Sequence, residues 1–149
     1  MKLAEALVLR ADFKKRLEQL KVRLQRNAKV QEGDAPAEKP EELLPEFEHV
    51  AHEFETLIAR INLTNAATPF EDRTLTHALA ERDVLRARQI VYRDLAQAAT
   101  VTQSVQTRSE VRFRSTVSVA EIQRKADDLA KQARELDARI QEANWRIEL

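Results

Sequence analysis

Apolar residues recur every three or four positions through most of this 149-residue chain, and every two positions in one stretch. The first spacing keeps side chains on one face of a helix, while the second sends alternate side chains to opposite faces of a strand. The clearest helical run closes the sequence: Ile122, Ala126, Leu129, Ala133, Leu136, Ile140, Ala143 and Ile147 follow in unbroken steps of four and three. This is a heptad seam, and small alanines alternating with large Leu and Ile suit close antiparallel packing. Ser118 and Glu121 form a capping box ahead of it, so a helix is predicted over about 119–148, a rod of about 45 Å. Covering such a rod takes equally long partner helices or a second subunit.

Three more helices precede it. Leu3, Leu7, Phe13, Leu17, Leu20 and Leu24 share a face and predict a helix over about 2–27. Gly33, Pro36 and Pro40 then interrupt helical geometry. A second helix is predicted over about 41–62 on the stripe Leu43, Phe47, Val50, Phe54, Leu57 and Ile61. Pro45 falls in its first turn, and Asn62 or Asn65 is expected to close it. Thr74 or Asp72 can cap a third helix over about 74–100, whose inward residues are Leu75, Leu79, Leu85, Tyr92, Leu95 and Ala99.

Between Val101 and Val119 the period drops to two. Odd positions are apolar or small apart from Gln103, and even positions are polar. A β-arm is expected over about 103–117. An isolated two-stranded ribbon is marginal in water, so the arm should pair with its own chain or a second copy. Val111, Phe113 and Val117 are the expected contact residues, with Trp145 as an aromatic anchor. Insertion into a bilayer is disfavoured, because Gln103, Thr107, Ser109 and Ser115 would face lipid. The expected fold is all-α: one domain of four long antiparallel helices with a small β-arm, assembling as a homo-oligomer.

Charge sharpens the topology. Residues 1–29 hold nine basic side chains against three acidic ones, and residues 30–55 hold nine acidic ones against Lys39. Opposite-sign helices joined by a loop should pair as a hairpin. With Lys+Arg and Asp+Glu both at 25, no global field draws nucleic acid. The absence of cysteine excludes disulfides and a thiol nucleophile, and a single glycine cannot build a phosphate-binding loop. Glu5, Arg10 and Asp12 interrupt any leader-like apolar segment, so a soluble cytoplasmic protein is expected.

Candidate chemistry is sparse. Glu46-x-x-His49 has the spacing used in di-iron helical bundles, with His52 and Glu53 close by. Such a site needs two of these pairs, and His77 with Glu81 has the other orientation and spacing. Surface histidines on an acidic helix therefore outweigh a metal site, and no cofactor or catalytic residue is expected. Arg10, Arg82 and Asp83 lie near helical seams, where they either pair, as in an Arg10–Asp83 contact, or reach to the rim.

Several stretches together resemble a family of short bacterial proteins, mostly uncharacterised, some labelled septicolysin. They are Met1-Lys2-Leu3-Ala4-Glu5-Ala6-Leu7, Gln31-Glu32-Gly33 with Pro36 and Pro40, Arg60-Ile61-Asn62-x-Thr64-Asn65, Glu81-Arg82-Asp83 and Gln141-x-x-Asn144-Trp145. The resemblance spans the chain and implies a small bacterial helical protein of unknown function; the label implies a membrane-active cytolysin. Carried onto this chain, the recurring polar residues are Asn62, Asn65, Arg82, Asp83 and Asn144. With Arg10, they are the candidates for a buried polar network. The first functional expectation is a non-enzymatic interaction protein that self-associates through its heptad helix and arm. Alternatives are a cytolysin-like protein and a carboxylate–histidine metal bundle.

Overall fold

The structure, a computed structural model, describes residues 1–102 and 111–149. It is all-α in class, with helices α1 (Leu3–Arg26), α2 (Pro40–Ala67), α3 (Leu75–Ala99) and α4 (Val119–Arg146). Strands β1 (Pro69–Phe70) and β2 (Arg73–Thr74) form a small hairpin between α2 and α3. The chain divides into two compact units: Met1–Pro69 with Gln141–Leu149, and Phe70–Ile140.

In the first unit α1 and α2 are antiparallel. Leu20, Leu43 and Val50 are buried at their contact and packed by Phe13, Leu17, Leu24 and Phe47. Phe13 meets Phe54 edge to face, ring centroids 6.4 Å apart. The charge segregation acts as expected: Arg16 Nη2 pairs with Glu46 Oε1 at 3.0 Å, and Arg23 grips Glu38 with two nitrogens, Nε donating to Oε2 at 3.0 Å. Asn27 latches the connecting loop, its Nδ2 donating to Arg23 O at 2.8 Å and its Oδ1 accepting from Glu38 N at 3.0 Å.

The hydrogen bonds from Arg23 hold the Glu38 carboxyl below the usual glutamate range, and Glu38 in turn raises Arg23; burial opposes both. A carboxyl depressed in the folded state contributes stability above its unfolded pKa and loses it as pH falls through the folded one. Glu38→Gln should therefore lower the melting temperature at neutral pH, with the deficit shrinking as pH falls below the usual glutamate range. Parallel melts of the two proteins check this; a deficit that persists in acid would contradict the pairing.

The same unit joins the two ends of the chain. Leu3 N donates to Ile147 O and Leu149 N to Met1 O, both at 2.9 Å, making an antiparallel bridge at Lys2 and Glu148. The Lys2 ammonium and then the Met1 amine hold the Glu148 carboxyl below its usual range.

In the second unit α3 and α4 are antiparallel, tied by Arg82 to Asp137. The α4 seam buries Ala126, Leu129, Ala133, Leu136 and Ile140. Ser118 Oγ accepts from Glu121 N at 3.4 Å, and Thr74 Oγ1 caps α3 by accepting from His77 N at 3.3 Å.

Several boundaries differ from the sequence expectation. Helix α2 runs through Asn62 and Asn65 to Ala67, because Thr68 closes it: its N and Oγ1 both donate to Thr64 O, at 2.9 and 2.7 Å. Pro45 sits at the sixth helical position, past the turn where a missing amide is free of cost. The hairpin lies at Pro69–Thr74. The centre of the expected arm, residues 103–110, falls outside the described residues, while its flanks 101–102 and 111–118 carry no strand. There Ser115 Oγ donates to Val117 O at 2.6 Å and accepts from Val117 N at 3.3 Å. That local turn ends any extended run before α4.

Candidate functional site

Helix α3 has two apolar faces. Leu75, Ala78, Arg82, Leu85, Gln89, Tyr92, Ala96 and Ala99 follow in steps of three and four, and Leu75, Ala78, Leu85 and Ala96 among them are buried. On the opposite face Ala80, Val84, Ala87, Val91, Leu95 and Ala98 are all exposed. Val84 is 57% accessible and Val91 65%. At the far end of this face Leu95 and Ala98 share a cleft of about 330 Å³ with Phe113, Ser115 and Val117. Phe113 is 76% accessible. An outer stripe stepping in threes and fours is the surface a second helix would cover.

The inner face holds the polar network. Arg82 donates from Nε and Nη2 to Asp83 Oδ1 at 3.0 and 2.8 Å, and from Nη1 to Asp137 Oδ1 at 3.0 Å. Arg86 Nη2 reaches the same Asp137 oxygen at 3.2 Å. A second cluster surrounds the hairpin. Glu71 has φ of 55°, and a positive φ at only the first central position is the sign pattern of a type II′ turn. Its carboxylate takes Arg139 Nε at 2.9 Å, while Arg73 Nη2 pairs with Glu81 Oε2 at 2.6 Å. Among the described residues, Arg73 Nε is buried with no hydrogen-bond partner.

The structure brings only part of the expected network together. Arg82 and Asp83 meet, and Asn144 is buried at 3% accessibility. Arg10 and Asn62 are exposed and Asn65 is half-buried, so none of these three is in a buried network. Asp83 pairs with its neighbour Arg82, not with Arg10. Asp83 stays exposed while pairing with the adjacent guanidinium, which itself reaches on to Asp137. Asp137, Arg73, Glu71 and Arg139 were not anticipated; acidic and basic residues bordering seams were the available signal.

No group of three or more His, Asp or Glu residues in metal-holding geometry occurs among the described residues. Glu46 is held by Arg16, and His49 Nε2 lies 3.5 Å from Glu53 Oε2. His52 lines a shallow cleft of about 250 Å³ with Leu9, Phe13 and Arg60. Of the expected contact residues, Val111, Phe113 and Trp145 are exposed, whereas Val117 is half-buried in the cleft with Leu95 and Ala98. Of the α4 seam, Ala126, Leu129, Ala133, Leu136 and Ile140 are buried within the chain, and Ile122, Ala143 and Ile147 are half-buried. No helix among the described residues is long and apolar enough to cross a membrane.

Comparison with known proteins returns no activity. A family model described as a family of unknown function, DUF6847, matches residues 10–149. A solved structure of a functionally unknown conserved protein from Corynebacterium diphtheriae is 44% identical over all of this chain and 98% of its own, with a TM-score of 0.94. No curated protein matches the chain.

Proposed function

The chain belongs to the DUF6847 family of unknown function, and from that premise we propose that it acts as a non-enzymatic interaction protein that self-associates through α3. The observation that carries this is the outer stripe Val84, Ala87, Val91, Leu95 and Ala98, continued by Phe113. Exposed apolar residues at scattered positions need no explanation, but a contiguous patch marks a contact surface. A heptad stripe fits a helix of the same spacing, and a second copy supplies one. Its alternation of Ala with Val and Leu allows two α3 helices to approach closely in antiparallel fashion.

Magnitude sets the expected behaviour. A 25-residue helix is about 37 Å long, so an α3–α3 contact about 10 Å wide would bury about 750 Å² over both copies. That lies below the ~1,200 Å² at which stable interfaces begin. A concentration-dependent equilibrium is the expected outcome, and a permanent assembly would need a further contact.

Val91→Glu tests this reading. The variant places one carboxylate per copy at the centre of the stripe, which must be desolvated on association. Sedimentation across a concentration series should show the wild type gaining mass while Val91→Glu remains monomeric with unchanged helicity. An unchanged mass distribution in the variant would remove α3 from the contact.

A further inference from the structure

The basic character of α1 is only partly used inside the chain. Arg16 and Arg23 pair across to Glu46 and Glu38, and Lys2 and Lys21 pair with Glu148 and Glu18. Arg10, Lys14, Lys15 and Arg26 form no ion pair among the described residues and are exposed. Lys14, Lys15 and Arg26 border the face of α1 opposite its core side, and Arg10 lies nearer the core stripe. Along that face runs a shallow groove of about 750 Å³, lined by Ala11 and Val22, by Lys14, Lys15 and Arg26, and by Glu18, Gln19 and Arg23. Glu18 is paired with Lys21 and Arg23 with Glu38, so the groove combines apolar side chains with the unneutralised cations of Lys14, Lys15 and Arg26.

Helix α2 carries the complement. Glu41, Glu48 and Glu55 are exposed, lie seven residues apart and form no ion pair among the described residues. Positions seven apart fall on one line of a helix, here about 10.5 Å between successive carboxylates. Leu44, 48% accessible, lies beside them. Acidic residues therefore flank an apolar knob of the kind the α1 groove can take. Both faces are outside the α1–α2 contact, so one copy cannot join them to each other.

We propose that the outward face of α1 docks the outward, acidic face of α2 from a second copy of this chain. The contact is heterologous, because the two copies offer different surfaces and each keeps a free face of the other kind. It deepens the self-association reading while using different residues, and it differs in character. Opposed unpaired charges make it strengthen as ionic strength falls, whereas an apolar α3 contact is nearly indifferent to salt.

Charge reversal on either side decides the matter. Lys14→Glu with Lys15→Glu makes the α1 face acidic, and Glu48→Lys with Glu55→Lys makes the α2 face basic. At low ionic strength each variant alone should associate at least about tenfold more weakly than wild type. Mixed together, the two variants should recover association, because each presents the face the other now lacks. Circular dichroism on each variant establishes that the helices are intact. Variants that keep wild-type mass, a mixture that stays dissociated, or a wild type with no salt-dependent association would each overturn the proposal. Val91→Glu in parallel separates this contact from the one through α3, since losing either leaves the other measurable.

Discussion

Replacing Leu129 with alanine is expected to cost about 3 kcal/mol and to lower the melting temperature by about 6–12 °C. Leu129 lies in the middle of α4, is fully buried and belongs to the seam with Ala126, Ala133 and Leu136. The lost side chain removes its burial energy and also leaves a void, because flanking alanines are too short to collapse into it. Leu63→Ala is the matching control: Leu63 is exposed on α2, and surface substitutions of this kind stay within about 0.5 kcal/mol. Urea or thermal unfolding of both variants measures the contrast. A Leu129 deficit under about 1 kcal/mol would mean that the seam does not pack as described.

The second large effect is expected at Asp137. Its Oδ1 accepts from Arg82 and is ion-paired with Arg86, and the Arg82 side chain is only 18% accessible. Asp137→Ala leaves Arg82 with Asp83 alone in a largely desolvated position, which should cost about 1–3 kcal/mol. Arg82→Met removes the same pair but also removes the charge needing compensation, and its stem fills similar space. It should cost less than about 1 kcal/mol. The order of the two melting temperatures is the test: a deeper loss for Arg82→Met than for Asp137→Ala would show that attraction within the cluster outweighs desolvation.

What could be read beforehand follows from how local each signal is. The α4 seam was legible because Ile122 to Ile140 repeat without a polar intrusion, and the α1–α2 hairpin because the two helices differ in sign. Helix α3 was read less well. Arg82 and Gln89 interrupt its inner stripe, and alanines at 80, 87 and 98 made its outer stripe look neutral. The hairpin at Pro69–Thr74 escaped notice because its turn uses Glu71 at positive φ, where glycine or asparagine would have announced it. Arg82 and Asp83 were singled out by adjacency to the seam. Asp137, 55 residues from Arg82, could be tied to it only by folding, since sequence spacing carries no information across helices. The outward acidic line on α2 was visible as composition but not as geometry until the core face of that helix was fixed.

The division of the chain into Met1–Pro69 with Gln141–Leu149, and Phe70–Ile140, bears on the order of events during synthesis. The second unit is one unbroken stretch, complete as soon as its last residue is free. The first is not: Leu3 must wait for Ile147, almost the whole chain away, before its amide finds a partner. On a ribosome, the α1–α2 hairpin can form early while the slot for the C-terminal residues stays open. Closing it is the final step, with the greatest chain separation to bridge. Until then the backbone groups of Met1 and Leu3 that bridge to the C-terminal residues are unpaired, and that interval is when a nascent chain of this protein is most open to capture by a neighbour.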